Sequence, residues 1–505
     1  MGPHRADPEA GPSTGRATFT KHLNGVVLAI LVTGVVVRAD ILAGPGGGLD
    51  ADEAVVGLMA RHLLDGEWTT FFWAQDYGGT QEVALAAGAF AIFGASTLVL
   101  KILTIALHAL ACLLVWLVGR RTVGEPSARV GAALYWVWPA VFLVTSTRAR
   151  GYYEFGLIAA LTVLLLAAKI DEKPSLPLVA GFGLACGLGW WATPQIVLVA
   201  VPAVVWLGLR RRELVRKVPA GLVAAAIGAA PWLLYNAGRD WPSLDLTSSP
   251  PSGTNTYLDH LEAFVTQGFP AAVGLKHVIS DRWVGPAVVG WFLCLVVVVG
   301  FIALSFVKKE RPSLLLLVAL LCPFLVSLSP FAWYVIEPRY LYFAAPVFAL
   351  LLARCLSRTR ALQAVVLVAI ASLSVISVQE WQGDIEAIES TGPREGLQPG
   401  DLDPLIAELQ ARAVDAAFTD YWNAYRISFA SEEEVIATSL GLVRYGPHDE
   451  FVRNDDAPAY VFIRGSETEV SFASTLAERG IGSQAYGAGL FIFYVPDQPV
   501  LPEDL

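Results

Sequence analysis

The chain has 505 residues, of which 55% are hydrophobic and only 16% charged, whereas a soluble chain of ordinary composition carries about 25% charged residues. That shortfall excludes a soluble globular protein and predicts a polytopic α-helical membrane protein. The net charge of −10, with acids gathered in the C-terminal part, argues against nucleic acid as a partner. The five cysteines (Cys112, Cys186, Cys294, Cys322, Cys355) lie in or at the end of apolar stretches. They read as small buried hydrophobes and build neither a disulfide framework nor a cysteine metal site.

Residues 1–24 are polar and rich in Pro, Gly and Arg, the composition of a disordered tail. The apolar run that follows has no small-residue cleavage site and is succeeded by further spans, so it is read as a first membrane helix and not as a signal peptide. Spanning ~30 Å of hydrocarbon takes roughly 17–25 apolar residues. On that basis about eleven helices are expected, over residues 25–43, 97–118, 129–147, 152–168, 175–191, 195–209, 218–235, 285–307, 313–331, 340–353 and 361–378.

Arg120, Arg121 and Arg129, Lys169 and Lys173, Arg210–Arg212, Lys308 and Lys309, and Arg354–Arg360 fall in alternate connections, on the side of Arg16 and Lys21. The positive-inside rule makes that side cytoplasmic. A multi-pass membrane protein with its N-terminus on the cytoplasmic side is therefore expected. The membrane domain runs over 25–378 with external loops at 44–82 and 237–283. An extracytoplasmic domain over 379–505 holds 23 Asp plus Glu, seven Arg and no Lys. Within it, residues 402–414 read as a helix and 416–422, 460–464 and 490–495 as strands, which predicts a small α/β or α+β unit of ~100 residues.

Asp50, Asp52 and Glu53 open an amphipathic segment just past the first span, and Asp76, Tyr77 and Glu82 close the same loop. Asp50 as N-cap with Glu53 three residues on has the form of a capping box, and Asp52 in the first turn suits the helix dipole. Val55, Leu58, Met59, His62 and Leu63 then share a face, as in a helix lying on the membrane. Capping uses one or two acids, and several acids at a membrane edge are a functional signal. Arg148, Arg150 and Arg339 stand at outer helix ends, where snorkelling is the plain alternative. Glu154, beside Tyr152 and Tyr153, is a candidate partner for one of them. His62 and His108 read as core or interfacial residues, and no His-rich spacing supports a transition metal.

The run Asp52-Glu53-Ala-Val-Val-Gly-Leu-Met-Ala-Arg61-His62, followed by Gln75-Asp76-Tyr77-Gly-Gly and Glu82, resembles the first external loop of the bacterial GT-C glycosyltransferases. That superfamily includes the protein O-mannosyltransferases and the lipid A aminoarabinose transferase. Glu337-Pro-Arg339-Tyr340-Leu-Tyr-Phe-Ala-Ala-Pro346 resembles the entry of a late helix in these enzymes, and Gly189–Gln195 a turn between middle helices; the resemblance covers roughly residues 25–380. It implies inverting transfer of a sugar, a hexose such as mannose, from a polyprenyl-phosphate carrier at the outer face of the bacterial cytoplasmic membrane. The acceptor is a glycolipid, protein, polymer or secondary metabolite. Asp52 is then the general base, with Glu53 beside it. Asp76, Tyr77, Glu82, Arg148, Arg150, Arg339 and Tyr340 bind substrate, the arginines taking the phosphate. A lipid monophosphate requires no cofactor, although Asp50, Asp52, Glu53, Asp76 and Glu82 offer oxygen ligands for a divalent cation, and no metal is assigned.

The alternative in another class is a secondary transporter or lipid flippase. It requires charged residues deep in the helices, where only Lys101 and His108 qualify, and no internal repeat supports it. A purely structural membrane protein leaves the acids and outer arginines unexplained. Transfer of a phospholipid headgroup lacks the histidine cluster a membrane phosphotransferase uses.

Overall fold

The computed structural model describes residues 13–245, 256–306, 313–329, 338–391 and 397–504. Of the tail expected over 1–24, residues 1–12 lie outside this set, and from Ser13 the chain is helical as part of α1 (Ser13–Ala43). In the first loop comes α2 (Ala51–Leu64). The sequence does not mark α3 (Gln81–Phe93), whose apolar run is too short to read as a span. Next are α4 (Thr97–Thr122), α5 (Glu125–Val137), α6 (Ala140–Thr145), α7 (Tyr153–Glu172) and α8 (Leu176–Ala192). The single helix expected over 129–147 is thus two, parted at Pro139, a residue with no N–H to continue the ladder.

The chain continues through α9 (Val197–Arg210), α10 (Val218–Gly228) and α11 (Ala230–Ala237), then the short α12 (Tyr257–Ala263) and α13 (Phe269–Ala272). The last helices of the membrane domain are α14 (Ala287–Ser305), α15 (Ser313–Val326), α16 (Ala345–Cys355) and α17 (Arg360–Thr391). Among the described residues five helices are long and apolar enough to cross a membrane: 23–43, 97–122, 153–172, 287–305 and 360–390. The stretches 194–210 and 212–228, bent by 117° from each other, make a sixth if they form one span, and 81–93, 176–192, 313–326 and 345–355 are shorter apolar helices. At the centre, α5, α7 and α16 bury Leu134, Leu157, Val163 and Leu350 almost completely. By contrast, Val288, Phe292 and Leu295 on α14 are exposed, which fits a helix whose outer side faces lipid.

Helix α17 runs without a break through residue 378, where the expected domain boundary falls. At 1.5 Å per residue its 32 residues reach about 48 Å, longer than ~30 Å of hydrocarbon, so its last turns carry the chain clear of the span. The C-terminal unit is α/β: α18 (Asp403–Ala411), β1 (Ala416–Thr419), α19 (Tyr421–Ala430), β2 (Ile436–Ser439), α20 (Gly446–Arg453), β3 (Ala459–Ile463), α21 (Glu467–Glu478), β4 (Ser483–Ala488) and β5 (Phe491–Pro496). The sheet order is β2-β1-β3-β5-β4, with β1 parallel to β2 and β3, and β5 antiparallel to β3 and β4. Strands β1 and β3 are buried along their whole length, as expected for strands covered on both faces. Tyr421 and Trp422, expected at the end of a strand, open α19 instead, because Asp420 caps that helix by accepting from Trp422 N.

Helix α2 does not lie on a lipid surface. Residues 53–60 are all buried, and they share one apolar core with Phe72, Trp73, Leu405, Tyr425 and Phe429. A Cβ on Gly57 would come within 2.4 Å of the Phe429 ring, so glycine is what allows α2 and α19 to approach this closely. Over residues 53–60 protein covers the helix on every side, where a lipid surface was expected.

Candidate active site

The N-terminus of α2 is built as its sequence suggests. Asp50 Oδ1 accepts from Glu53 N at 2.9 Å, and Glu53 Oε2 accepts from Asp50 N at 3.2 Å, completing the capping box. Glu53 does more than cap. Lys101 Nζ donates to both its oxygens at 3.0 and 2.8 Å, and Ala149 N donates to Oε1 at 3.0 Å. Both Glu53 and Lys101 are buried, and every contact of Glu53 is satisfied within the protein. Through these contacts Glu53 fastens the 148–150 segment and α4 to the start of α2.

That fastening brings the arginines to Asp52. Arg150 Nη1 donates to Asp52 Oδ2 at 2.8 Å, and its Nη2 lies 3.0 Å from Asp50 Oδ2. Arg339 Nη1 approaches Asp52 Oδ2 at 3.5 Å, and Arg148 Nη1 approaches Asp50 Oδ2 at the same distance. Arg339 sits in the short turn Pro338–Leu341 ahead of α16 with Tyr340 beside it, while Glu337 lies outside the described residues. Gly151, at φ +82°, lets the chain turn directly after Arg150 against Phe72.

The other oxygen of Asp52 is held from the C-terminal unit. Tyr421 Oη donates to Asp52 Oδ1 at 2.7 Å, and Arg444 Nε donates to Tyr421 Oη at 3.2 Å. Arg444 was not singled out by the sequence, since nothing local links a loop arginine to a carboxylate so far away along the chain. The fully buried Arg426 anchors the same junction, donating to Leu49 O at 2.7 Å and to Asn423 Oδ1 at 2.8 Å.

Burial alone raises the pKa of the Asp52 carboxyl, but Arg150, Arg339, the Tyr421 hydroxyl and Arg444 outweigh it and hold it well below the ordinary range. Asp50 is shifted down in the same way, with burial opposed by Arg150 and Arg148. Burial and the neighbouring Asp52 push the Tyr421 phenol up, so it remains a proton donor. The arrangement is an ionised carboxylate set among guanidiniums, a group of donors suited to an anion with several oxygens.

Three expected residues stand apart. Asp76 Oδ1 accepts from Tyr235 Oη at 2.6 Å, and Glu82 Oε1 accepts from Phe155 N at 2.7 Å. Glu154 pairs with none of the site arginines; it accepts from Tyr342 Oη and lies 3.2 Å from His108 Nδ1. Tyr77 does belong here, since its hydroxyl feels Arg444, Arg339 and Asp52. The five acids considered for a divalent cation are therefore not gathered: two face arginines, one faces Lys101 and two serve structural contacts.

A bundle of apolar helices carrying an acid–arginine cluster on its first long loop, closed by a small α/β unit, defines a polytopic membrane protein with the fold of the GT-C glycosyltransferases. Among solved structures, ArnT from Cupriavidus metallidurans bound to undecaprenyl phosphate superposes with a TM-score of 0.64 at 12% identity, covering 96% of this chain and 98% of that one. Its apo form gives a TM-score of 0.65 at 11% identity, covering 94% and 98%. In sequence, the chain is 27% identical over 194 residues to the undecaprenyl phosphate-α-4-amino-4-deoxy-L-arabinose arabinosyl transferase of Pseudomonas aeruginosa. That alignment takes in 35% of this chain and 34% of the relative. A second enzyme of the same name from Pseudomonas fluorescens is 28% identical over 191 residues, 34% of this chain and 31% of the relative. The chain thus matches about a third of the length of these curated relatives. No protein-family model matches it.

Proposed function

We propose that this protein is a glycosyltransferase that moves a sugar from a polyprenyl-phosphate carrier to an acceptor hydroxyl, with inversion, at the outer face of the bacterial cytoplasmic membrane. The observation that carries the reading is Asp52 lying between Arg150 at 2.8 Å and Arg339 at 3.5 Å. The sequence relatives act, by their names, on an undecaprenyl-phosphate-linked sugar, which supports the same donor class here.

In the proposed reaction the donor phosphate engages the guanidiniums of Arg150, Arg339 and Arg148, whose bidentate donors match its oxygens. Engagement draws positive charge from Asp52 and so raises its basicity when the donor is in place. The acceptor hydroxyl attacks the anomeric carbon on the face away from phosphate, Asp52 takes its proton, and the bond from carbon to phosphate oxygen breaks. The lipid phosphate leaves into the same arginines. These residues supply the charge stabilisation, so the proposal needs no cofactor. Orientation with the N-terminus inside and the C-terminal unit outside rests on the loop charges.

A hexose such as mannose is the sugar proposed from the sequence, and the aminoarabinose of the named relatives is the competing donor. The transporter reading asks for charges at the bilayer midplane. Of its two deep candidates, Lys101 is paired with Glu53 near the start of α4, while His108, near the middle of α4, lies 3.2 Å from Glu154 Oε1 and 2.8 Å from Tyr342 Oη and is the group that reading rests on.

The test is transfer of label from polyprenyl-phosphate mannose, glucose and aminoarabinose into acceptors in oriented membrane vesicles. Wild type is expected to transfer one of the three, and Asp52→Asn to lose roughly 10²–10⁴-fold while remaining inserted and folded. Full activity in Asp52→Asn removes the base role. Transfer from none of the donors moves the transporter reading to first place.

A further inference from the structure

At the far end of α2 from Asp52 the structure gathers a second cluster that the transfer reaction does not use. His62 lies in the last turn of α2, Glu433 in the turn after α19, and His448 on α20. His62 Nε2 and His448 Nε2 each lie 2.9 Å from the same oxygen, Glu433 Oε1. One ligand atom from each of the three lies within 4.8 Å of the others. Glu432 and Glu433 both adopt positive φ, +56° and +65°, a left-handed backbone that non-glycine residues hold only when their surroundings enforce it.

We infer that His62, Glu433 and His448 form a binding site for a transition-metal ion of the zinc type. Two imidazoles and one carboxylate with a fourth position left for water are a common zinc donor set, while calcium and magnesium require more oxygens. Bonds of 2.0–2.1 Å in a tetrahedron place neighbouring ligand atoms roughly 3.3 Å apart, so the 2.9 Å contacts need to open by only a few tenths of an ångström. A cation at this point also replaces the two protons otherwise required between the ring nitrogens and the oxygen they share.

The surroundings of His62 provide the independent support. Its Nδ1 lies 2.9 Å from Glu67 Oε2, which accepts from Tyr445 Oη at 2.7 Å. Metal-bound imidazoles characteristically give their other N–H to a carboxylate, which fixes the tautomer and leaves Nε2 facing the metal. The stacked rings of Trp73 and Tyr445, 4.1 Å apart, wall the site, and the edge of His62 meets both. Because the ligands come from α2 and from the C-terminal unit, the ion pins the helix carrying Asp52 to the domain that supplies Tyr421. It is a positioning site and is independent of which group the protein transfers.

The experiment uses detergent-purified full-length protein, stripped with chelator and reloaded with Zn²⁺ or Co²⁺. About one zinc per chain by elemental analysis, the intense visible absorption of tetrahedral Co²⁺, and zinc protection of His62 and His448 from diethyl pyrocarbonate, mapped by mass spectrometry, are expected. His448→Ala and Glu433→Gln are expected to lose the ion, whereas Asp52→Asn keeps it. Absence of bound zinc and of a cobalt band in the wild type overturns the site. So does zinc retained by His448→Ala, or lost in Asp52→Asn, which would place the ion elsewhere. If the variants are not recovered folded, the protection map on wild type decides: a footprint elsewhere than His62 and His448 rejects the assignment.

Discussion

Asp52 is held from four directions in sequence: by its own helix, by Arg150, by Arg339 and by Tyr421. Its depressed pKa has a consequence for stability. A carboxyl whose folded pKa lies below its unfolded value of about 3.9 contributes stabilisation that is complete above that value and is lost as pH falls towards the folded pKa. The thermal midpoint of wild type is therefore expected to exceed that of Asp52→Asn at pH 7, and the gap to narrow as the pH drops below about 4. Parallel melts of the two proteins from pH 7 to pH 3 measure it. A gap independent of pH means that the ion pairs add nothing net. The capping pair Asp50 and Glu53 was legible in the sequence because both partners lie within one helical turn. Lys101 as the counter-charge of Glu53, and Tyr421 as a donor to Asp52, were not, since local spacing carries no information about contacts made across the fold.

At the scale of elements, α2 is the hinge of the site, with Asp52 in its first turn and its middle packed on α19. Arg61 adds to that contact, with Nη1 donating to Phe429 O at 3.0 Å and its guanidinium 4.3 Å above the Phe429 ring. Gly57→Ala places a methyl group against that ring, and overpacking of this kind costs about 1–3 kcal/mol. The expected result is a lowered unfolding midpoint for Gly57→Ala, with more than half of the loss recovered in Gly57→Ala combined with Phe429→Leu, because residues in contact are energetically coupled. Simple additivity in that double-mutant cycle shows that the two helices do not depend on this close approach. The periodicity of α2 correctly marked an apolar face. It did not reveal what covers that face, because lipid and a protein domain are equally apolar to a hydrophobic residue. The breaks at Pro139 and at Ala229, between α10 and α11, were missed for the opposite reason: composition on both sides remains apolar.

For the whole molecule, the C-terminal unit is part of the site and part of the core. Leu405, Tyr425 and Phe429 are buried with Val55, Leu58 and Met59 in one cluster, Tyr421 reaches Asp52, and Arg426 holds Leu49 at the entrance to α2. A soluble appendage joined by a linker has none of these properties, since its own core closes without the partner. Removing it strips cover from α2 and leaves apolar side chains facing water, a surface that promotes aggregation. A chain ended after residue 391 is therefore expected to elute as aggregate in size-exclusion chromatography. Co-expression of 1–391 with 392–505 as separate chains is expected to restore a monodisperse peak containing both, because the contacts run through side chains and not through the connection. The intact variant Tyr421→Phe supplies the contrast: it keeps the shared core and the wild-type elution while losing the hydroxyl that faces Asp52. A monodisperse 1–391 fragment with the wild-type unfolding midpoint is the outcome that makes the C-terminal unit a separate module, and it leaves Asp52 to be held by the arginines alone.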